Sequence, residues 1–108
     1  MKVNGIEFDF DASDSVCIEK FENALDIMSE EEKELGKNIG NIKHHEFLSG
    51  YCAALRSFFL NSTGTNVLDG VTSVNKAIEC YDDFLGQIKE AGEKTKDLIS
   101  KYDPKRIK

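Results

Sequence analysis

VNGIEFDFDASD, residues Val3–Asp14, is the stretch on which the reading of the fold turns. Asn4-Gly5 is the pair favoured in a two-residue type I′ hairpin turn, because both central positions need a positive φ. The turn predicts that Met1 to Val3 pair with Ile6 to Phe8. After it Ile6, Phe8 and Phe10 fall on one face, with Glu7, Asp9 and Asp11 on the other, the period of two expected of a half-buried strand. Burying those three apolar side chains is worth about 1.5 to 3 kcal/mol each, but a lone hairpin is marginal in water and needs something to pack on. The run stops at Ser13-Asp14, residues that accept hydrogen bonds from the free N–H groups of a helix's first turn. Beyond Asp14 the patterning is helical.

The first helix is expected over 14–35. Ile18, Phe21, Leu25, Met28 and Leu35 keep a three-and-four spacing, while Glu19, Glu22, Asp26, Glu30 and Glu31 lie largely off that stripe. Gly36 and Gly40 mark a stop and a connector. A second helix over 42–61 carries Leu48, Tyr51, Cys52, Leu55, Phe58 and Phe59, a wide aromatic stripe that should make it the most buried element. Asn61 to Asn66 reads as a turn-rich loop, and Val67-Leu68-Asp69-Gly70 as a short turn tucked against the core. The third helix, 73–102, starts at Ser73 as N-cap and ends before Asp103-Pro104, since proline disfavours helix in the residue preceding it. Val74, Ile78, Tyr81, Leu85, Ile88, Ile99 and Tyr102 form its 4-3 repeat, with Gly92 and Thr95 as weak steps and a bend or fraying expected near Gly92. This heptad-like spacing suits packing within the chain or between copies. The expected fold is therefore mainly α: a short N-terminal β-hairpin (1–11) followed by a bundle of three long helices and a basic tail (103–108), in one domain over 1–108.

Composition narrows the functional classes. The 108 residues are 40% hydrophobic and 31% charged, with no apolar run near the length of a membrane span. The start lacks the apolar core of a signal peptide, so a cytoplasmic location is expected. Cys17, Cys52 and Cys80 form no CxxC pair and read as small buried apolar residues rather than a disulfide framework. Charge is uneven: residues 1–35 hold 3 Lys against 11 acids, a net of −8, and residues 36–108 carry a net of +2. Such a surface repels phosphate backbones, which argues against a nucleic-acid partner for that face. The tail Lys101 to Lys108 reads as a solvated basic end.

Little points to catalysis. His44-His45 are adjacent, so on a helix they diverge by about 100° and cannot converge on one metal as an i, i+4 pair would. His45 shares the edge of a stripe with Leu48 and Cys52, where a His-Cys site is conceivable, but a partly buried histidine is the plainer expectation. Glu30-Glu31-Glu32 reads as solvated surface, and Gly64 and Gly70 lack the lysine and spacing of a phosphate loop. No catalytic residue, metal ligand or cofactor site is expected.

The order of signals is itself a pattern. KVNGIEFDFDA at residues 2–12, an acidic helix containing IEKFENAL, then ECYDDF and a closing KYDPKR resemble a family of small proteins of about this length encoded by phages and prophages of Gram-positive bacteria. The likeness spans nearly the whole chain and none of its motifs is catalytic. It implies a place among tail-morphogenesis proteins, similar to the tail assembly chaperones that coat the aggregation-prone tape measure protein while tail tube protein polymerises around it. The expected partner is thus a protein, tape measure or tail tube, with a homo-oligomer possible and no nucleic acid or membrane involved. Tyr51, Leu55, Phe58 and Phe59 are the residues expected to form the apolar docking groove. The competing expectations are an oligomeric structural adaptor, such as a head-tail connector or tail-completion protein, and a small acidic regulatory binder.

Overall fold

The computed structural model describes residues 1–102; the basic tail expected at 103–108 lies outside the described residues. Two strands, β1 (Lys2–Val3) and β2 (Ile6–Glu7), pair antiparallel with Lys2 opposite Glu7 and Val3 opposite Ile6. Asn4 and Gly5 both have positive φ, 55° and 73°, as the Asn-Gly pair requires. The pairing is extended by one rung: the Met1 amino group donates to the Phe8 carbonyl at 3.0 Å and the Phe8 N–H to the Met1 carbonyl at 2.9 Å. Beyond Phe8 the chain leaves the ladder, so the hairpin ends three residues short of the 1–11 expected. Asp11 ends it, accepting from the Ser13 N–H at 2.8 Å and hydroxyl at 2.6 Å in a tight turn.

Three helices complete the chain, α1 (Ser15–Lys37), α2 (His44–Thr63) and α3 (Val74–Tyr102). Asp14 caps α1, its carboxylate accepting from the Val16 N–H at 2.8 Å. The second helix starts two residues later than the sequence suggests, because Glu46 reaches back to the Lys43 N–H at 3.0 Å and fixes the first turn there. It also ends later. Ser62 and Thr63, expected in a loop, form the last turn because their hydroxyls bond back to the Phe58 and Phe59 carbonyls at 2.8 and 2.7 Å. Gly64 then ends the helix at φ 76°. Ser73 accepts from the Lys76 N–H at 3.3 Å and starts α3, which runs unbroken through Gly92 where a bend was expected. No helix among the described residues is long and apolar enough to cross a membrane.

The core is organised around Phe84. Its ring lies 5.2 to 5.9 Å from those of Phe8, Phe10, Phe21, Phe58 and Phe59, so one side chain of α3 joins the hairpin, α1 and α2. Most of these pairs are edge-to-face, the arrangement that the ring quadrupole favours. Val67 and Leu68 seal the loop side, as the sequence suggests, and the Asn4 side chain ties the hairpin turn to the Val67 carbonyl at 3.0 Å. Between α1 and α2 the approach is close: a Cβ on Gly50 would sit 2.9 Å from a methyl of Leu35.

The 4-3 row read on α3 packs along the edge of the core, and a neighbouring row enters its centre. Ala77, Cys80 and Phe84 are buried, whereas Val74, Ile78, Tyr81, Leu85 and Ile88 are only half-buried. The two rows run side by side, and the longer, bulkier row masked the one that holds Ala77, Cys80 and Phe84.

Candidate interaction face on the third helix

The sequence placed docking on Tyr51, Leu55, Phe58 and Phe59. The structure puts three of these in the interior: Leu55, Phe58 and Phe59 are at most 2% exposed and pack within the core. Only Tyr51 reaches the surface, half-buried beside Phe47. A stripe as wide as that of α2 faces neighbours on several sides at once, so its apolar width signals burial and not a free groove.

Apolar surface that no described residue covers lies elsewhere. On α3 the core-facing positions Ala77, Cys80 and Phe84 continue at helical spacing into Ala91, Thr95 and Leu98. The body they pack on ends before the helix does. From Gly92 to Lys101 every position except Thr95 is exposed, and Leu98 and Ile99 are 63% and 48% exposed. Single exposed aliphatic residues are ordinary, and Val16, Ile27, Ile39 and Leu60 are of that kind. Leu98 and Ile99 differ in being adjacent and in prolonging a face that is buried one turn after another up to Phe84. Thr95 interrupts this face less than its polarity suggests, since its hydroxyl donates to the Ala91 carbonyl at 3.0 Å.

Alongside this face is an open groove of about 700 Å³ between the hairpin's end and α3. Met1, Phe10 and Ala91 give it an apolar floor, and Asp11, Glu90 and Asp97 an acidic rim crossed by Lys94. The Ser13 hydroxyl first, and its N–H second, hold the Asp11 carboxyl below its ordinary value, so this edge of the rim keeps its negative charge. Gln87 braces the groove, its amide donating to the Lys2 carbonyl at 2.9 Å and to the Asp83 carboxylate at 3.2 Å.

A second polar feature sits at the junction of all three helices. Glu32 is half-buried, not solvated as the sequence suggested, and its charge acts on two tyrosines. Burial first, then Glu32, pushes the Tyr51 hydroxyl above its ordinary value; Tyr81 is raised by burial, then by Glu32, Asp82 and Tyr51.

His44 and His45 are both exposed, so the partly buried histidine expected at position 45 is on the surface instead. Cys52 and Cys80 are buried as expected, and burial is the leading cause that raises the Cys80 thiol; Cys17 is only half-buried. Among the described residues no three His, Cys, Asp or Glu side chains are grouped as a metal site.

A family model matches residues 4–108, from the hairpin turn to the last residue. The chain belongs to DUF6673, a family of unknown function. No curated protein and no solved structure matches it.

Proposed function

We propose that this protein is a non-enzymatic assembly factor, a phage or prophage tail assembly chaperone that holds a helical segment of the tape measure protein against the outer half of α3. The observation that carries this reading is the apolar face of α3, which is seated in the core as far as Phe84, is half-buried at Ala91, and continues to Leu98, which no described residue covers. A helix end in that state presents the surface an amphipathic client helix needs, a stripe one or two turns long flanked by charge. Burying what Leu98 and Ile99 still expose would contribute about 1 to 2 kcal/mol each, one part of a weak, reversible hold. The groove beside it offers a bed for flanking side chains of the client. The whole-chain resemblance to small tail-morphogenesis proteins supplies the identity of the client, and the net −8 of residues 1–35 supplies repulsion between coated filaments.

Co-expression with the tape measure protein of the same phage or prophage tests this. The client should remain in the supernatant and co-purify with several copies of this chain. A client that stays insoluble with this protein in excess rules the reading out. The recovery instead of a closed ring of this chain alone, retained in assembled particles, would identify it as the structural adaptor.

A further inference from the structure

A small cavity of about 310 Å³ opens between α2 and the loop before α3. His45, Ser49, Cys52 and Arg56 line it from one face of α2, at successive turns, and Val71 and Thr72 close it from the loop before α3. Two hydrogen bonds fix that wall: the Cys52 thiol donates to the Thr72 carbonyl at 3.5 Å, and Arg56 Nη2 to the Val71 carbonyl at 3.0 Å.

Arg56 is the anomaly. It is half-buried, yet among the described residues no carboxylate comes within 4.0 Å of its guanidinium. A guanidinium has five N–H donors in a planar fork matched to carboxylate and phosphate. Among the described residues one partner, a neutral carbonyl, engages this one. Withdrawing a cation from water without a counter-charge is unfavourable, and acids are abundant in a chain of net charge −6. Their absence here leaves one positively charged recess, with a hydroxyl at Ser49, an imidazole at His45 and an apolar edge at Leu48 and Val71. Its volume is at the lower end of small-molecule sites, which run from about 300 Å³ upward.

We propose that this recess is a binding site for a small oxyanion, a carboxylate or phosphate group on a compact molecule, with the Arg56 fork as its anchor and the Ser49 hydroxyl as a second donor. The site is independent of the chaperone reading, and either can fail without the other.

Two-dimensional ¹H–¹⁵N NMR of the full chain, titrated separately with sodium propionate and sodium phosphate against sodium chloride at matched ionic strength, tests it. Saturable shifts confined to the Ser49, Arg56 and Thr72 amides are expected with at least one of the two anions and not with chloride. The tighter of the two identifies the anion as carboxylate or phosphate. Arg56→Lys keeps the charge but loses the fork and should weaken binding about tenfold. Ser49→Ala, which leaves the Arg56 anchor to Val71 intact, should weaken it several-fold without altering the melting temperature. Shifts that stay linear in all three salts, or an affinity unchanged in Arg56→Lys and Ser49→Ala together, would overturn the assignment.

Discussion

Phe84→Ala should be among the most destabilising single substitutions in this chain. The ring is fully buried and meets five other phenylalanine rings drawn from the hairpin, α1 and α2. A buried phenylalanine removes about 150 to 250 Å² from water, which at about 25 cal/mol per Å² corresponds to roughly 4 to 6 kcal/mol. Measured Phe→Ala changes in cores cost about 3 to 5 kcal/mol: alanine keeps part of the buried area, and the cavity left by incomplete relaxation adds to the loss. A domain of this size has a total stability of about 5 to 15 kcal/mol, so the loss is a large fraction of the whole. Each kcal/mol lowers Tm by about 4 to 8 °C in a domain of up to 100 residues, so a fall of some tens of degrees is expected. Urea unfolding followed by far-UV circular dichroism measures it, with Phe84→Leu as a variant that keeps most of the volume and should lose about 1.5 kcal/mol. Ile99→Ala, on the same helix but 48% exposed, should lose less than about 0.5 kcal/mol. Should Phe84→Ala lose less than about 1 kcal/mol, Phe84 is not the hub of the core and the placement of α3 against the hairpin is wrong.

Three further outcomes rest on particular side chains. The raised Tyr51 and Tyr81 hydroxyls give a stability contribution that is complete below the ordinary tyrosine value near 10 and lost as pH rises from there through the raised folded values. The double variant Tyr51→Phe, Tyr81→Phe should therefore show a shallower loss of Tm above pH 10 than the parent, the lysines titrating alike in both; parallel curves would refute this. A Cβ at Gly86 or Gly92 meets nothing within 4 Å, so Gly86→Ala and Gly92→Ala should each stabilise α3, by up to about 1 kcal/mol in urea, and a loss at either would show a contact that the structure lacks. Thiol labelling in the folded state should be slow at Cys52 and Cys80 and faster at Cys17, in line with their burial, and rapid labelling of all three would contradict the packing of α2 on α3.

The hairpin and the starts of α1 and α3 were legible because each is encoded by a few adjacent residues with one favoured conformation: Asn4-Gly5 for the turn, Asp14 and Ser73 for the caps. The ends of α2 were not, since Ser62 and Thr63 are loop formers on average and become helical only by bonding to Phe58 and Phe59. Leu55, Phe58 and Phe59 were read as exposed for a different reason. Aromatic density on α2 marks what is buried, and whether a stripe is covered depends on where other elements end, a tertiary property absent from local spacing. Phe84 was overlooked because it sits one position from the regular Val74-to-Ile88 row and carries no periodic partner as large as itself. Glu32 was read from its acidic neighbours, while its surroundings are set by Tyr51 and Tyr81 on two other helices. Arg56 had no signal in the sequence at all, because a missing counter-charge is visible only once the neighbours are placed.

The most direct test of the central claim is affinity capture of the tape measure client by the tagged full-length chain, comparing the parent, Leu98→Asp with Ile99→Asp, and a charge reversal of Glu19, Glu22 and Asp26 on the exposed side of α1. Leu98 and Ile99 are exposed, so their substitution should leave Tm within a degree or two of the parent. Client recovery should fall at least tenfold, about 1.4 kcal/mol, in the apolar double variant and stay within twofold in the charge-reversed one. Undiminished capture by Leu98→Asp with Ile99→Asp, or loss of capture only on charge reversal, would contradict the assignment of binding to the outer half of α3.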